Sequence, residues 1–205
     1  MRWLCWLGWV CLGAMLCAGC STSGGSMQYD PAAPPTNPNL YALPKHFSQT
    51  QGQENWRYYS VPTGEAGYVE LGWGNAPLGA PGGMTACWRE VAGGAPAIGR
   101  DALRPVAGRD AAVAWRRGAG SGQVDITATL RCLEPRAGGD GVDVSIWRGE
   151  TRLLGPMHLL GNSGQEMTFS TTGTLATGDS VYLRVSSGAN DTGDWCAYSM
   201  QVTLE

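Results

Sequence analysis

Positive charge is scarce in this chain: Lys45 is the only lysine among 205 residues, and apart from Arg116-Arg117 the arginines stand singly. With a net charge of −3 and 15% charged residues, no basic patch of the size that displaces phosphate counterions is available, which excludes a nucleic-acid-binding protein. Histidine is nearly missing too. Only His46 and His158 occur, so a three-histidine metal centre is excluded, and a histidine-activated nucleophile has little to draw on. Long amphipathic helical patterns are also lacking, which argues against an α/β plan.

What is there is a period of two. Val124, Ile126, Ala128, Leu130 and Cys132 alternate with polar residues. So do Val142, Val144 and Ile146, then Val181, Leu183 and Val185, and finally Cys196, Tyr198, Met200, Val202 and Leu204. Alternation at this period predicts strands with one buried face. Between them lie 134–141, 161–165, 177–179 and 186–193, rich in the Gly, Asn, Asp and Ser that turns require. Earlier strands are expected over 55–61, 67–73, 86–91 and 111–116. Long loops are expected over 74–85 and 93–108, with one helical turn after Asp101. Trp56, Trp73, Trp88 and Trp115 are expected in the core, as are Val69 and Leu71.

The N-terminus reads as an export signal. Met1-Arg2 precedes an uncharged apolar run from Trp3 to Ala18, which as a helix would span roughly 25 Å, short of a ~30 Å hydrocarbon core. The run ends in Leu16-Cys17-Ala18-Gly19-Cys20-Ser21, which resembles the lipobox of bacterial lipoproteins. Cys17 stands where that motif usually has leucine. The resemblance implies acylation at Cys20, attachment to a membrane through that lipid, and, with Ser21 following, the outer membrane of a bacterial cell envelope. Residues 21–54 then read as a flexible tether rich in Ser, Gly, Pro and Asn. Within it, Tyr41, Leu43 and Phe47 are either a clasp docking on the domain or part of the disordered tether. The expected organisation is a signal segment over 1–20, a tether over 21–54 and a β-sandwich over 55–205.

The order of these segments is similar to the jelly-roll β-sandwich modules of exported bacterial proteins, many of them carbohydrate-binding or galactose-binding-like. The likeness is carried by 112–116, 122–130, Gly138-Gly-Asp-Gly-Val-Asp-Val-Ser-Ile146, Thr177-Gly-Asp-Ser-Val-Tyr-Leu-Arg-Val185 and Asn190-Asp-Thr-Gly-Asp194. It implies an all-β, antiparallel jelly-roll sandwich and speaks for fold more than for ligand. In that fold the strand from Val124 and the closing strand are neighbours. Cys132 with Cys196 is then the leading candidate disulfide, with a bond to Cys87 or three separate thiols as alternatives.

Strand parity turns Asp143, Ser145, Trp147, Tyr182 and Arg184 away from the core. If their strands are antiparallel neighbours, Trp147 and Tyr182 form an aromatic platform for a sugar ring, with Arg184 and Asp143 supplying hydrogen bonds to hydroxyls. These four are the candidate ligand-binding residues. No catalytic residue is expected: Gly161-Asn-Ser163-Gly164 reads as a turn, and Glu65, Glu70, Glu90, Glu150 and Asp143 show no spacing that marks a glycosidase pair. Asp140, Asp143, Asn190, Asp191 and Asp194 sit in Gly-containing turns where calcium is conceivable. Turn formation is the favoured explanation of them, and neither metal nor cofactor is expected. The leading expectation is a non-catalytic, membrane-anchored module recognising a glycan or cell-envelope component. The alternative is a structural or assembly lipoprotein that docks a protein partner through the sandwich surface.

Overall fold

The computed structural model describes residues 39–78, 84–92, 95–133, 139–161 and 164–205. The signal run, Cys20 and the first part of the expected tether lie outside these residues. In chain order the strands are β1 (Leu40–Leu43), β2 (Trp56–Pro62), β3 (Val69–Glu70), β4 (Gly72–Pro77), β5 (Met84–Arg89), β6 (Ala97–Ile98) and β7 (Ala102–Arg104). They continue as β8 (Arg109–Arg116), β9 (Gly122–Cys132), β10 (Val142–Arg148), β11 (Thr151–Leu159), β12 (Glu166–Leu175), β13 (Ser180–Ser187) and β14 (Cys196–Leu204). One 3₁₀ turn, Gln53–Asn55, leads into β2.

Two antiparallel sheets are built from them, one in the order β12-β9-β14-β7-β6-β5-β4 with β1 on β14, the other β11-β10-β13-β8-β2-β3. From β7 onward the chain switches sheets at every step except β10 to β11. The resulting orders, β7-β14-β9-β12 facing β8-β13-β10-β11, are those of a jelly roll, eight strands wound as two Greek keys. The alternating residues account for the core: Val124, Ile126, Ala128, Leu130, Val142, Val144, Ile146, Val181, Leu183, Val185, Met200 and Val202 are all buried. Fully burying such a side chain is worth about 1.5–3 kcal/mol, and stacking two sheets hides both sets at once.

Several expectations need correction. The domain begins inside the stretch assigned to the tether: β1 pairs with β14, Leu43 and Phe47 are buried, and the Tyr41 ring lies 4.8 Å from that of Trp115. An edge of β14 left bare would expose unpaired backbone groups, and β1 covers it. The helical turn after Asp101 is instead the short pair β6 and β7, and the expected loop over 74–85 is shortened by β4 and β5, while residues 79–83 fall outside the described ones. Trp56, Trp88 and Trp115 are core residues, but Trp73 is 37% exposed and Val69 54%. They sit on the outer strands β4 and β3, where no third strand covers them.

Candidate functional site

The outward face of the second sheet carries the four sequence candidates. β10 and β13 are antiparallel neighbours, with Trp147 opposite Tyr182, Ser145 opposite Arg184 and Asp143 opposite Ser186. On the far side of β10, β11 places Arg152 opposite Trp147 and His158 opposite Asp143. The β10–β11 register slips between Val144 and Ile146, where Gly155 holds φ +88 and leaves no room for a side chain against the Val144 carbonyl. Such a bulge bends the strand and re-aims its side chains, and Pro156 turns towards the sheet face.

A cleft of about 190 Å³ results, lined by Thr63, Asp110, Asp143, Ser145, Trp147, Arg152, Pro156, Arg184 and Ser186. Three of the four sequence candidates therefore meet, and the fourth does not. Tyr182 is capped by Tyr68, stacked on it at 4.0 Å between ring centroids and 25° between planes, and Tyr59 stands 6.0 Å away. The Tyr68 hydroxyl donates to the Gly149 carbonyl at 3.2 Å, and burial pushes its pKa up to about 12. The open two-ring platform is thus replaced by a closed tyrosine cluster beside a cleft with one aromatic wall. The covering residue comes from the loop after β2, which strand parity does not see.

Arg184 also has a different role from the one expected. It points outward, yet the turn after β2 folds over it, and its side chain is 3% exposed. Its Nε donates to Asp110 Oδ2 at 3.0 Å and Nη2 to the same oxygen at 2.5 Å. Nη1 donates to the Glu65 carbonyl at 2.9 Å and Nη2 to the Pro62 carbonyl at 3.3 Å. Thr63 Oγ1 donates to the other oxygen of Asp110 at 2.7 Å. The guanidinium is a pin for the 62–65 turn and forms the floor of the cleft, with its donors directed into protein. A charge this deep is tolerated because it is paired and hydrogen-bonded.

Trp147 forms the wall. Its Nε1 donates to Ser145 Oγ at 2.8 Å, and the guanidinium carbons of Arg184 and Arg152 lie 4.8 Å and 5.1 Å from its ring centroid. Cation–π contacts of this kind hold the indole upright. Asp143 Oδ1 is 2.9 Å from His158 Nδ1, with both side chains nearly half exposed. The accessible polar groups are thus the Asp143 carboxylate, the Ser145 and Ser186 hydroxyls and the exposed Arg152. Sequence reasoning turned Ser145 outward without making it a candidate, and missed Asp110, Arg152 and Ser186. Ser186 shares the parity of Arg184 and could have been found by it; Asp110 and Arg152 needed the pairing of β8 and β11.

The cysteine expectation is corrected in part. Cys132 and Cys196 are directly opposite on β9 and β14. Their Sγ atoms lie 3.4 Å apart as free thiols, and Cys87 is a third. A disulfide needs about 2.05 Å, so the pair is a buried thiol contact rather than a bond.

No family model and no curated protein matches the sequence. Its neighbours among solved structures include carbohydrate-binding modules. The C-terminal family 6 module of a laminarinase from Zobellia galactanivorans is 16% identical, covering 71% of this chain and 98% of that one, with a TM-score of 0.33. A family 35 module from Clostridium thermocellum is 13% identical over 81% of this chain and 98% of its own, at 0.36, and one from Paenibacillus barcinonensis is 12% identical over the same shares, at 0.33. The jelly-roll assignment rests on the strand order above, and the choice of ligand rests on the cleft.

Proposed function

We propose that this chain is a non-catalytic, lipid-anchored β-sandwich module that binds a single sugar unit in the cleft between β10, β11 and the 62–65 turn. The observation that carries the reading is the lining itself: one indole wall, one carboxylate, two hydroxyls and one exposed guanidinium around about 190 Å³. That volume is below the roughly 300–1,000 Å³ of sites for drug-sized ligands and suits one polyol ring. Asp143 and the serines can accept from vicinal hydroxyls, Arg152 can donate, and Trp147 offers apolar surface to ring C–H groups.

The same lining supports a binding rather than a catalytic role. Both oxygens of Asp110 are engaged by Arg184 and Thr63, which leaves Asp143 as the accessible carboxylate of the cleft, whereas hydrolysis of a glycoside needs a flanking pair. The lipobox-like Leu16 to Ser21 segment supports acylation at Cys20 and placement on the outer membrane of a bacterial envelope. A thiol-to-serine change at Cys20 tests that part: the protein should lose acyl mass and leave the membrane fraction.

A glycan array probed with the full chain tests the binding. Binding to one sugar class that is lost in Trp147→Ala and Asp143→Ala, with folding intact, supports the proposal. A blank array, or binding unchanged by both substitutions, overturns it. A second reading, a structural lipoprotein docking a protein partner, is favoured by a different observation: Trp73 on the outer strand β4 and Val91, whose side chain lies beside Gly72 of that strand, are exposed, Val91 at 78%. A partner retained by wild type from envelope extract and lost in Trp73→Ser would favour that reading.

A further inference from the structure

A bare sheet edge offers unpaired N–H and C=O groups to any strand that arrives, and proteins guard such edges with proline, bulges, shortness or charge. Most edges of this sandwich carry a guard. β11 has Pro156 and the bulge opposite β10. β4 has Pro77, and the Arg89 side chain lies across its Gly74. β3 is two residues long, and β1 is four, followed by Pro44. β12 has none of these: it runs for ten residues without proline or lysine, and Glu166 is its one charge. Among the described residues it pairs with β9 alone.

The backbone shows which residues face that edge. Arg148 Nη1, from the opposite sheet, donates to the Thr174 carbonyl at 3.0 Å, so Thr174 turns its C=O away from β9. In an antiparallel pair each residue sends its N–H and C=O to the same side, and the side alternates along the strand. Glu166, Thr168, Ser170 and Thr172 therefore face the bare edge as well, while Met167, Phe169, Thr171 and Gly173 bond to β9. The Thr172 carbonyl holds only a 3.5 Å contact with the hydroxyl of its neighbour Thr171. The edge-facing residues also carry the exposed side chains. Thr168 Oγ1 is 3.1 Å from Thr129 Oγ1, and Ser170 Oγ is 3.2 Å from Thr127 Oγ1, a row of hydroxyl pairs that stops at β12.

We propose that β12 pairs antiparallel with β12 of a second copy of this chain, about a twofold axis at Ser170, so that the two first sheets become one. Two demands fix the register: edge-facing residues must meet edge-facing residues, and buried side chains must stay on one face. Centring on Ser170 meets both and gives every edge-facing residue a partner. Ser170 then faces itself, Thr168 faces Thr172, and Glu166 faces Thr174. Cross-strand hydroxyl pairs are favourable, and these continue the row that begins on β9. On the inner side Phe169 faces Thr171 and Met167 faces Gly173, small residues beside large ones. The strand's one charge arrives at Thr174, where Arg148 already sits, so unlike charges approach at both ends of the seam. A strand pair alone covers less than the ~1,000 Å² of a stable interface, and the dimer therefore forms reversibly. The seam lies in the first sheet and does not depend on the sugar cleft of the second.

The test uses the full chain in a mild detergent, with its protein mass followed by light scattering from low to high micromolar concentration. The wild type should pass from monomer to dimer, and amide exchange at Thr168, Ser170 and Thr172 should slow as it does. Ser170→Lys and Ser170→Glu each set like charges face to face on the axis, and each should weaken dimerisation at least tenfold. Mixed in equal amounts the two variants should restore it, since every lysine then meets a glutamate. Gln201→Lys, exposed on β14 away from the seam, should dimerise like the wild type. A wild type that stays monomeric throughout overturns the proposal, as does a dimer indifferent to both charges, or a mixture no better than either variant alone. Slow exchange at these amides that appears only with envelope extract also overturns it, because another protein then takes the edge. Should a charge variant fail to fold, the concentration dependence of the wild-type exchange decides by itself.

Discussion

Arg184 and Asp110 face each other under the 62–65 turn as a buried ion pair, two bonds from one guanidinium to one carboxylate oxygen. Both come from neighbouring strands of one sheet, β13 and β8, and the turn that covers them is held by the same guanidinium. Removing either partner leaves a buried charge alone, which costs about 3–5 kcal/mol. Arg184→Ala and Asp110→Ala should each lower the urea-unfolding free energy by that order. The double variant should lose clearly less than the sum of the two. Additive losses would show that the pair does not act as a unit.

Leu43 tests whether the segment before β2 belongs to the domain. It is 2% exposed on a strand that pairs with β14. Leu43→Ala should cost about 2–5 kcal/mol, the range for deleting a buried leucine side chain. A change within experimental error in a denaturant titration would return this segment to the tether.

His46 gives the stability a pH dependence. It is buried, its Nδ1 accepts from Ala42 N–H at 3.1 Å, and burial lowers its pKa below the ordinary 6.5, with Glu54 opposing and Lys45 assisting. The unfolded chain therefore binds the proton more readily than the folded one. The stabilisation is present above pH 6.5 and is lost as pH falls through that value. Between pH 7.5 and 5.5 the wild type should lose stability relative to His46→Gln, since every other titrating group is common to both. Parallel pH profiles would refute this.

The thiols of Cys87, Cys132 and Cys196 are free and buried. Burial raises the Cys87 thiol, and the shared contact with Cys132, together with burial, raises Cys196, so the reactive thiolate is scarce at both; the same contact lowers Cys132, whose protection rests on its burial. Alkylation mapped by mass spectrometry should leave these three unmodified in the native protein and label all three in denaturant without reductant. Labelling of Cys132 and Cys196 only after reduction would mean that they are joined.

Much of the architecture is legible in the alternation of Val124 to Cys132, Val142 to Ile146, Val181 to Val185 and Cys196 to Leu204, because a period of two can be satisfied only by a strand with one dry face. The same parity turns Asp143, Trp147, Tyr182 and Arg184 outward. Parity stops at the strand's own face, however, and does not report what folds over it. Arg184 and Tyr182 both point away from the core, yet one is sealed by the 62–65 turn and the other is half-covered by the stacked ring of Tyr68.

By itself the sequence determined the alternating strands β9, β10, β13 and β14 and their inward sides, since these follow from local periodicity and turn chemistry. Only the tertiary structure decided which outward side chains remain available and which charges are buried against a partner. Both depend on segments distant in the chain, such as the turn after β2 over β13, or Asp110 of β8 against Arg184 of β13, and their meeting is set by long-range packing that no local pattern encodes.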